Sequence, residues 1–323
     1  MSHTWKCRVA GMLLVALAVP AFAQVPAAKA AATQAKAAQA QQAAYVPPVP
    51  LLWKVSDADN AVYLLGSFHM LRATDYPLSK EAEAAFADAS SLMLEISPEE
   101  AESPELRKAI MEAALRRDGS SLANELGTDT WTQLQAWGQR NAMPPEALSM
   151  FETWFVGLTI SLVEMSKQGL DPKLGLDQHF MDKARKAGKP AMGLEKAAEQ
   201  IGLLDGMDAQ EQRQLVKQSL EEADKGPEYT ERLHRAWRNG DADFIWRETA
   251  LELKREFPRL YQRINVDRNN HWLPQIEQRL KQPGRDNTLV VVGALHLLGS
   301  DGVVEKLRAK GYKVERLCST CKP

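Results

Sequence analysis

Short apolar runs bounded by turn residues predict strands near both ends of this chain. LLWKVSD and AVYLLGS flank the turn-forming stretch Asp57-Ala58-Asp59-Asn60, so they predict a hairpin. SLMLEIS and PAMGLE predict two strands farther along. DNTLVVVGALH, towards the other end, is the most strongly strand-like run of all. These runs predict a sheet assembled from distant parts of the chain.

Helical spacing of apolar residues dominates the rest of the chain. LSKEAEAAFADA predicts a helix between the second and third strands. Helical patterns then run from 97 to about 187 and from 195 to about 280. One segment, EALSMFETWFVGLTISLVEM, is apolar enough to be a buried or groove-lining helix. The large middle of the molecule is therefore predicted to be helical.

A glycine and a histidine recur with the same spacing after two of the predicted strands. LLGSFHML places Gly66 and His69 after one strand, and VVGALHLLG places Gly293 and His296 after another. A helix and a strand follow each copy, which favours parallel pairing through a right-handed crossover. Both GxxH loops would then lie at the carboxyl ends of sheet strands, where open α/β sheets build their sites. We predict an α/β fold whose mixed sheet contains two strand-GxxH-helix-strand units and a large helical middle segment.

The first 23 residues have the pattern of a secretory signal peptide. Lys6 and Arg8 precede the apolar run GMLLVALAVPAFA, and Ala21-Phe22-Ala23 resembles a cleavage site. The run is shorter than the roughly 20 residues of a membrane-spanning helix. We expect a bacterial protein that is periplasmic or secreted, without stable membrane insertion after cleavage; an uncleaved anchor is the alternative.

Composition divides the remaining chain into three parts. Residues 24–50 are rich in Ala, Gln and Lys and end in VPPVP, which predicts a disordered linker. One folded domain is expected over 51–317, followed by a short tail, 318–323, that contains Cys318 and Cys321. These two cysteines could form a local disulfide or remain two free thiols.

The net charge excludes one class of partner. The whole chain has 40 Lys and Arg against 42 Asp and Glu, and removing Lys6 and Arg8 leaves 40 − 2 − 42, a net charge of −4. A protein with this charge lacks the basic surface that nucleic-acid binding needs. A peptide or a small molecule is the expected partner.

The paired histidines could ligate a metal, act as acid and base, or bind an anionic group. Glu95 interrupts the apolar run LMLEIS, and a charge in a strand buried on both faces needs a partner. Glu195 ends the strand-like AMGLE. A solvent-facing position on an edge strand is the alternative for Glu95, and a favourable helix N-terminal acid is the alternative for Glu195.

Other polar residues have weaker signals. Asp177, in LGLDQHF, is explained equally well as a helix N-cap. Arg268 and Asn269, in VDRNNHWLP, could stabilise developing negative charge, although a surface arginine is the simpler interpretation of the residues alone. The chain has no HExxH, GxSxG or Walker motif. Two histidines with one or two glutamates remain, a set that suits Zn, Mn or Co with an open position for water.

Together these motifs resemble the TraB/GumN family (TraB/PrgY/GumN), which includes pheromone-shutdown proteins and is similar to the Tiki metalloproteases. The resemblance extends over nearly all of 51–317 and rests on the following stretches: LLGSFHML, MLEIS, LGLDQHF, MGLE, RNNHW and VVVGALHLLGSDGVVEKLRAKGYKV. It implies a metal-dependent peptidase. Its implied metal ligands are His69, His296, Glu95 and Glu195, with Arg268 as an electrophilic helper beside the two glutamates.

Two functions follow as hypotheses. The first is an exported metal-dependent hydrolase, a peptidase, in which the two histidines and one glutamate hold a divalent ion (Mn, Co or Zn) that activates water. The other glutamate takes the proton of that water, and Arg268 steadies the oxyanion. The second is a non-catalytic exported protein that binds or sequesters a peptide or small ligand. In the second, Trp154 and Phe155 would anchor the ligand in a groove, although packing in the core is the more common role of such residues.

Overall fold

The computed structural model describes residues 45–321. The predicted signal peptide and most of the predicted linker lie outside the described residues. The last six linker residues, 45–50, lie against the domain, where the Tyr45 hydroxyl donates to the Pro77 carbonyl and the Val49 N–H donates to the Arg238 carbonyl. The packed part of the chain therefore includes residues before the predicted boundary at 51.

Six strands form one mixed sheet. In chain order they are β1 (Leu52–Ser56), β2 (Ala61–Ser67), β3 (Ser91–Leu94), β4 (Ala191–Gly193), β5 (Thr288–Gly293) and β6 (Lys313–Arg316). Their order in the sheet is β4-β3-β5-β2-β1-β6, with β2, β5, β3 and β4 parallel. Strand β1 is antiparallel to both β2 and β6, which confirms the predicted hairpin. The α/β class with a mixed sheet is likewise confirmed.

The two GxxH loops leave the sheet side by side. Every residue of β2 and β5 is buried, as expected for strands covered on both faces. In the parallel register of these strands, Ser67 pairs with Gly293 at their carboxyl ends. Strand β3 lies on the other side of β5 and ends at Leu94 opposite Val291, one residue before Glu95. Pairing of distant segments therefore brings both histidine loops and Glu95 to one edge of the sheet.

Helices form most of the rest of the described chain. They are α1 (Lys80–Asp88), α2 (Pro98–Ala101), α3 (Pro104–Ala114), α4 (Leu122–Arg140), α5 (Pro145–Leu148), α6 (Thr153–Lys167), α7 (Leu176–Ala187), α8 (Ala197–Asp205), α9 (Ala209–Lys225), α10 (Glu228–Arg238), α11 (Ala242–Ile245), α12 (Leu251–Glu256), α13 (Pro258–Tyr261), α14 (Arg268–Leu280) and α15 (Val303–Ala309). π-helical turns at Trp246–Ala250 and Gln262–Asp267 interrupt the later ones. The predicted helical middle is thus present as a series of short and medium helices.

The apolar helix α6 is part of the hydrophobic core. Its residues Trp154 and Phe155 are buried, and the Trp154 indole N–H donates to Asp205. These side chains pack inside the protein, so they do not supply anchors for a ligand groove. Within residues 45–321, no helix combines the length and apolar character needed to cross a membrane.

Candidate functional site

The close approach of both histidines to Gly293 organises the edge of the sheet. A Cβ atom built at Gly293 would lie 3.0 Å from Nε2 of His69, 3.2 Å from Oε1 of Glu95 and 3.5 Å from Cδ2 of His296. The two imidazoles are therefore well within the separation of about 10 Å beyond which a shared site is excluded. A Cβ at Gly293 would crowd His69 and Glu95 while making only ordinary contact with His296, so a glycine here leaves room for the two side chains.

Glu95 is a buried anion. It follows β3 directly and is 4% exposed, so the alternative of a solvent-facing edge position is wrong. Oε1 accepts the Gly293 N–H at 2.8 Å, and Oε2 accepts from Arg268 at 2.7 Å. Burial raises the pKa of Glu95, but the positive charge of Arg268 and that of His69 outweigh burial and hold the pKa far below its usual range. Glu95 is therefore ionised at neutral pH.

Glu195 lies two residues beyond β4 and is also buried. Oε1 accepts from Nη2 of Arg268 at 2.5 Å and from Nε2 of Gln200 at 2.7 Å, and Oε2 accepts the Trp272 indole N–H at 3.0 Å. Gln200 also donates to Oε2 of Glu95 at 3.1 Å. One amide thus joins the two carboxylates, and both acids belong to one cluster.

Arg268 lies between the two glutamates and is 7% exposed, so the interpretation as a surface arginine is wrong. It is the first residue of α14 and follows the π-turn Gln262–Asp267; such turns are frequent at functional sites. Its nitrogens donate as follows: Nε to Glu195, Nη2 to Glu195 and Glu95, and Nη1 to the Ile264 carbonyl and to Nε2 of His296. A guanidinium has five N–H groups, so all of them are used.

The hydrogen bonds of His296 define its protonation. The Asn269 side-chain amide donates to the Asp301 carbonyl at 2.8 Å, which leaves Oδ1 of Asn269 to accept from Nδ1 of His296 at 2.8 Å. Nδ1 therefore carries the hydrogen, and Nε2 accepts from Arg268 at 3.0 Å. Burial and the charge of Arg268 lower the pKa of His296 well below its ordinary value. His296 is a neutral acceptor for Arg268.

His69 occupies the more open side of the site. Nδ1 lies 3.0 Å from Oδ1 of Asp177, to which the Ser67 hydroxyl also donates at 2.7 Å. Nε2 lies 3.7 Å from Oε1 of Glu95, and 18% of the side chain is exposed. Burial lowers the pKa of His69, but the charge and hydrogen bond of Asp177, with the charge of Glu95, prevail and raise it to about 9. At neutral pH His69 is an imidazolium.

Asp177 has a role that the sequence did not indicate. The N-cap of α7 is Gly175 rather than Asp177, and the aspartate in the first turn faces His69 and Ser67 instead of capping the helix. A Cβ atom at Gly175 would lie 2.2 Å from the His69 carbonyl oxygen, so only glycine permits this approach. The glycine of LGLDQHF is consistent with a close backbone approach, but it does not indicate which side chains Asp177 contacts. Gln200, which joins the two glutamates, had no signal in the sequence.

The predicted four-ligand metal site is not the arrangement observed. Three of the four expected ligands, Glu95, Glu195 and His296, direct acceptor atoms at Arg268. Among residues 45–321, no group of three His, Cys, Asp or Glu side chains is arranged to hold a metal ion. The residues brought together are those predicted, but with the guanidinium between them they do not fit a shared divalent ion.

The raised pKa of His69 predicts a loss of stability in alkaline solution. A histidine whose pKa is about 9 when folded and 6.5 when unfolded contributes its full stabilisation below pH 6.5 and loses it as the pH rises through 9. A pKa difference of one is worth about 1.4 kcal/mol, so we expect a loss of about 3 kcal/mol. Urea unfolding at pH 6 to 10 measures it, and His69→Gln should remove this slope; an equal slope in both proteins would contradict the assignment.

A mixed α/β sheet whose strand ends converge on a buried His-Glu-Arg cluster defines the structural class of this protein. A model of the TraB/PrgY/gumN family matches residues 51–316, and the chain belongs to that family. It is 24% identical over 247 residues to "Uncharacterized protein YbaP" of Escherichia coli (strain K12), covering 76% of this chain and 87% of the relative. The Shigella flexneri protein of the same name matches equally well. No solved structure matches the chain.

Proposed function

We propose that this protein hydrolyses a peptide or a related amide bond at the edge of the sheet where His69 and Glu95 meet. The observation that carries the proposal is the pairing of a proton donor and a proton acceptor: Nε2 of His69 lies 3.7 Å from Oε1 of the ionised Glu95. Asp177 fixes the orientation of the imidazole through Nδ1, which leaves Nε2 facing Glu95. Amide hydrolysis needs both groups, because water must lose a proton while the leaving nitrogen gains one.

The proposed reaction uses only groups of the chain. A water molecule in contact with both Nε2 and Oε1 loses a proton to Glu95 as its oxygen attacks the carbonyl carbon. The C–N bond then breaks as Nε2 of His69 gives its proton to the leaving nitrogen. The proton held by Glu95 returns to His69, which restores the starting state. The resemblance to metalloproteases implies a divalent ion that would activate this water. The residues of the site do not fit such an ion, and the proposed reaction does not use one.

Arg268 and Glu195 act indirectly in this proposal. Since all five Arg268 donors are used, its guanidinium does not donate to the substrate oxygen without losing a bond to the protein. Its fixed charge keeps Glu95 ionised at neutral pH. Glu195 in turn holds the guanidinium in place. The two residues therefore position and charge the acceptor of the water proton.

A cavity lies beside Glu195, on the side of the cluster away from His69 and Glu95, neither of which lines it; it could hold a part of the substrate remote from the reacting bond. Its volume is about 550 Å³, within the range of roughly 300 to 1,000 Å³ that is typical of ligand pockets. Its walls include the charged side chains of Lys196 and Glu199 and the polar side chains of Ser97, His271 and Gln275.

The test is hydrolysis of a mixed peptide library by the purified protein, followed by mass spectrometry. We expect new termini produced by cleavage, at a rate that falls as the pH rises through about 9, where His69 loses the proton it must donate. A folded protein that cleaves no member of a broad library, with or without added Mn, Co or Zn, would contradict the proposal.

We further propose that the protein is exported through its N-terminal signal. Support comes from Lys6 and Arg8 ahead of the apolar run, and from the disulfide between Cys318 and Cys321, a bond that persists in oxidising compartments. Expression in a Gram-negative host should give a periplasmic protein whose N-terminal sequence starts at Gln24. A cytoplasmic protein that retains Met1 would contradict export.

A further inference from the structure

We infer that Arg268 takes the position that a divalent ion would need, so the site contains its own permanent cation and does not recruit a metal. Nη2 lies 2.7 Å from Oε2 of Glu95 and 2.5 Å from Oε1 of Glu195, and Nη1 lies 3.0 Å from Nε2 of His296. Three of the four side chains expected to be metal ligands thus direct their acceptor atoms at one guanidinium.

The carboxylate oxygens also accept from other protein donors. Gln200 donates to both carboxylates, Trp272 donates to Oε2 of Glu195, and the Gly293 N–H donates to Oε1 of Glu95. A metal bound here would have to displace several of these donors and would lie beside the buried charge of Arg268. A carboxylate in a metal site keeps lone pairs available for the ion, whereas of these two carboxylates only Oε1 of Glu95, which accepts the single Gly293 N–H, keeps an acceptor position open.

The inference gives the two GxxH histidines different roles. His69, held by Asp177, directs Nε2 towards Glu95 and is partly exposed, whereas His296 is buried and uses Nε2 to accept from Arg268. The bond from Nδ1 of His296 to Asn269 fixes the neutral tautomer that this acceptor role requires. His296 is therefore a positioning residue that acts through Arg268.

Metal content tests the inference without any substrate. The inference rests on the proposed function of the same site. The measurement separates the two, because the protein could fail to hydrolyse peptides and still bind no metal ion beside Arg268. The full-length protein is equilibrated in turn with Mn²⁺, Co²⁺ and Zn²⁺, exchanged into metal-free buffer and analysed by mass spectrometry of metals. We expect no stoichiometric ion in the wild type. One ion per chain, lost in His69→Ala and His296→Ala but kept in His271→Ala, would overturn the inference.

A variant and a spectroscopic signature complete the test. Arg268→Met removes the cation and frees the acceptors, so the folded variant should take up an ion that the wild type does not; a folded variant without uptake would overturn the inference. If the variant does not fold, the ¹⁵N NMR signals of the wild-type histidines decide. We expect an Nδ1–H tautomer for His296 that added Mn²⁺ leaves sharp. A protonated Nε2, or broadening of both His69 and His296 by Mn²⁺, would overturn the inference.

Discussion

Replacing His69 with alanine is expected to lower the rate of amide hydrolysis by about 10²- to 10⁴-fold, the usual contribution of a general acid or base. The reason is that Nε2 of His69 lies 3.7 Å from Oε1 of Glu95, whereas His296, the other histidine of the cluster, is neutral and accepts from Arg268. The rate constant for a peptide identified in the library screen measures the effect.

Two comparisons make this prediction specific. His179→Ala removes another partly buried histidine, on the same helix as Asp177, that packs against Tyr76 outside the cluster, and it should leave the rate unchanged. Asp177→Asn keeps His69 but removes the charge that orients and protonates it, so the rate should fall and its alkaline limit should move to lower pH. Equal losses in the His69 and His179 variants would show that histidine packing, and not proton transfer, is what matters.

Replacing Arg268 with methionine is expected to destabilise the protein by about 3 to 5 kcal/mol, the cost of removing one partner of a buried charge pair. The substitution leaves Glu95 and Glu195 buried without their counter-charge and leaves His296 without its donor. Chemical denaturation at pH 7 measures the change in the free energy of unfolding. Arg140→Met, which removes an arginine from the exposed pair with Asp224, should change stability by no more than about 0.5 kcal/mol.

The pH dependence of the Arg268 variant supplies a second readout. In the wild type the pKa of Glu95 is lowered by folding. Glu95 therefore stabilises the folded protein at pH values above its pKa in the unfolded chain, and this stabilisation is lost as the pH falls. Without Arg268, burial raises the pKa of the same carboxyl, and protonation then stabilises the folded state. The variant should therefore gain stability relative to the wild type as the pH is lowered from 7 to 4. If the variant's loss in the free energy of unfolding stays constant from pH 7 to 4, lost packing and not lost charge explains the destabilisation.

Local patterns in the chain predicted the frame of the site well. Alternating and continuous apolar runs indicated the strands, and the repeated GxxH spacing after two of them indicated that both histidines lie at one edge of the sheet. The register of Ser67 with Gly293 confirms that geometry. Glu95 and Glu195 stood out because a charge beside a buried strand needs a partner, and both do lie in the same cluster.

The partners themselves depended on distant segments. Asp177 was equally well explained as a cap, because its sequence neighbours describe only a helix start and say nothing of His69, from which it is separated by 108 residues. From the residues alone a surface position is the simpler interpretation of Arg268, since its burial depends on two carboxylates that arrive from β3 and from the segment after β4. In the sequence Gln200 is an ordinary helix residue, and only the fold brings it into contact with those carboxylates.

By itself the sequence determined the class of fold, the strand ends on which the histidines lie, and the kinds of side chain available for chemistry, because periodicity and turn preferences act over a few residues. Only the tertiary structure decided which role each of those side chains has. It set a charged arginine among three of the four expected metal ligands and gave the two equivalent-looking histidines opposite protonation, because hydrogen bonding and burial depend on neighbours brought together by the sheet.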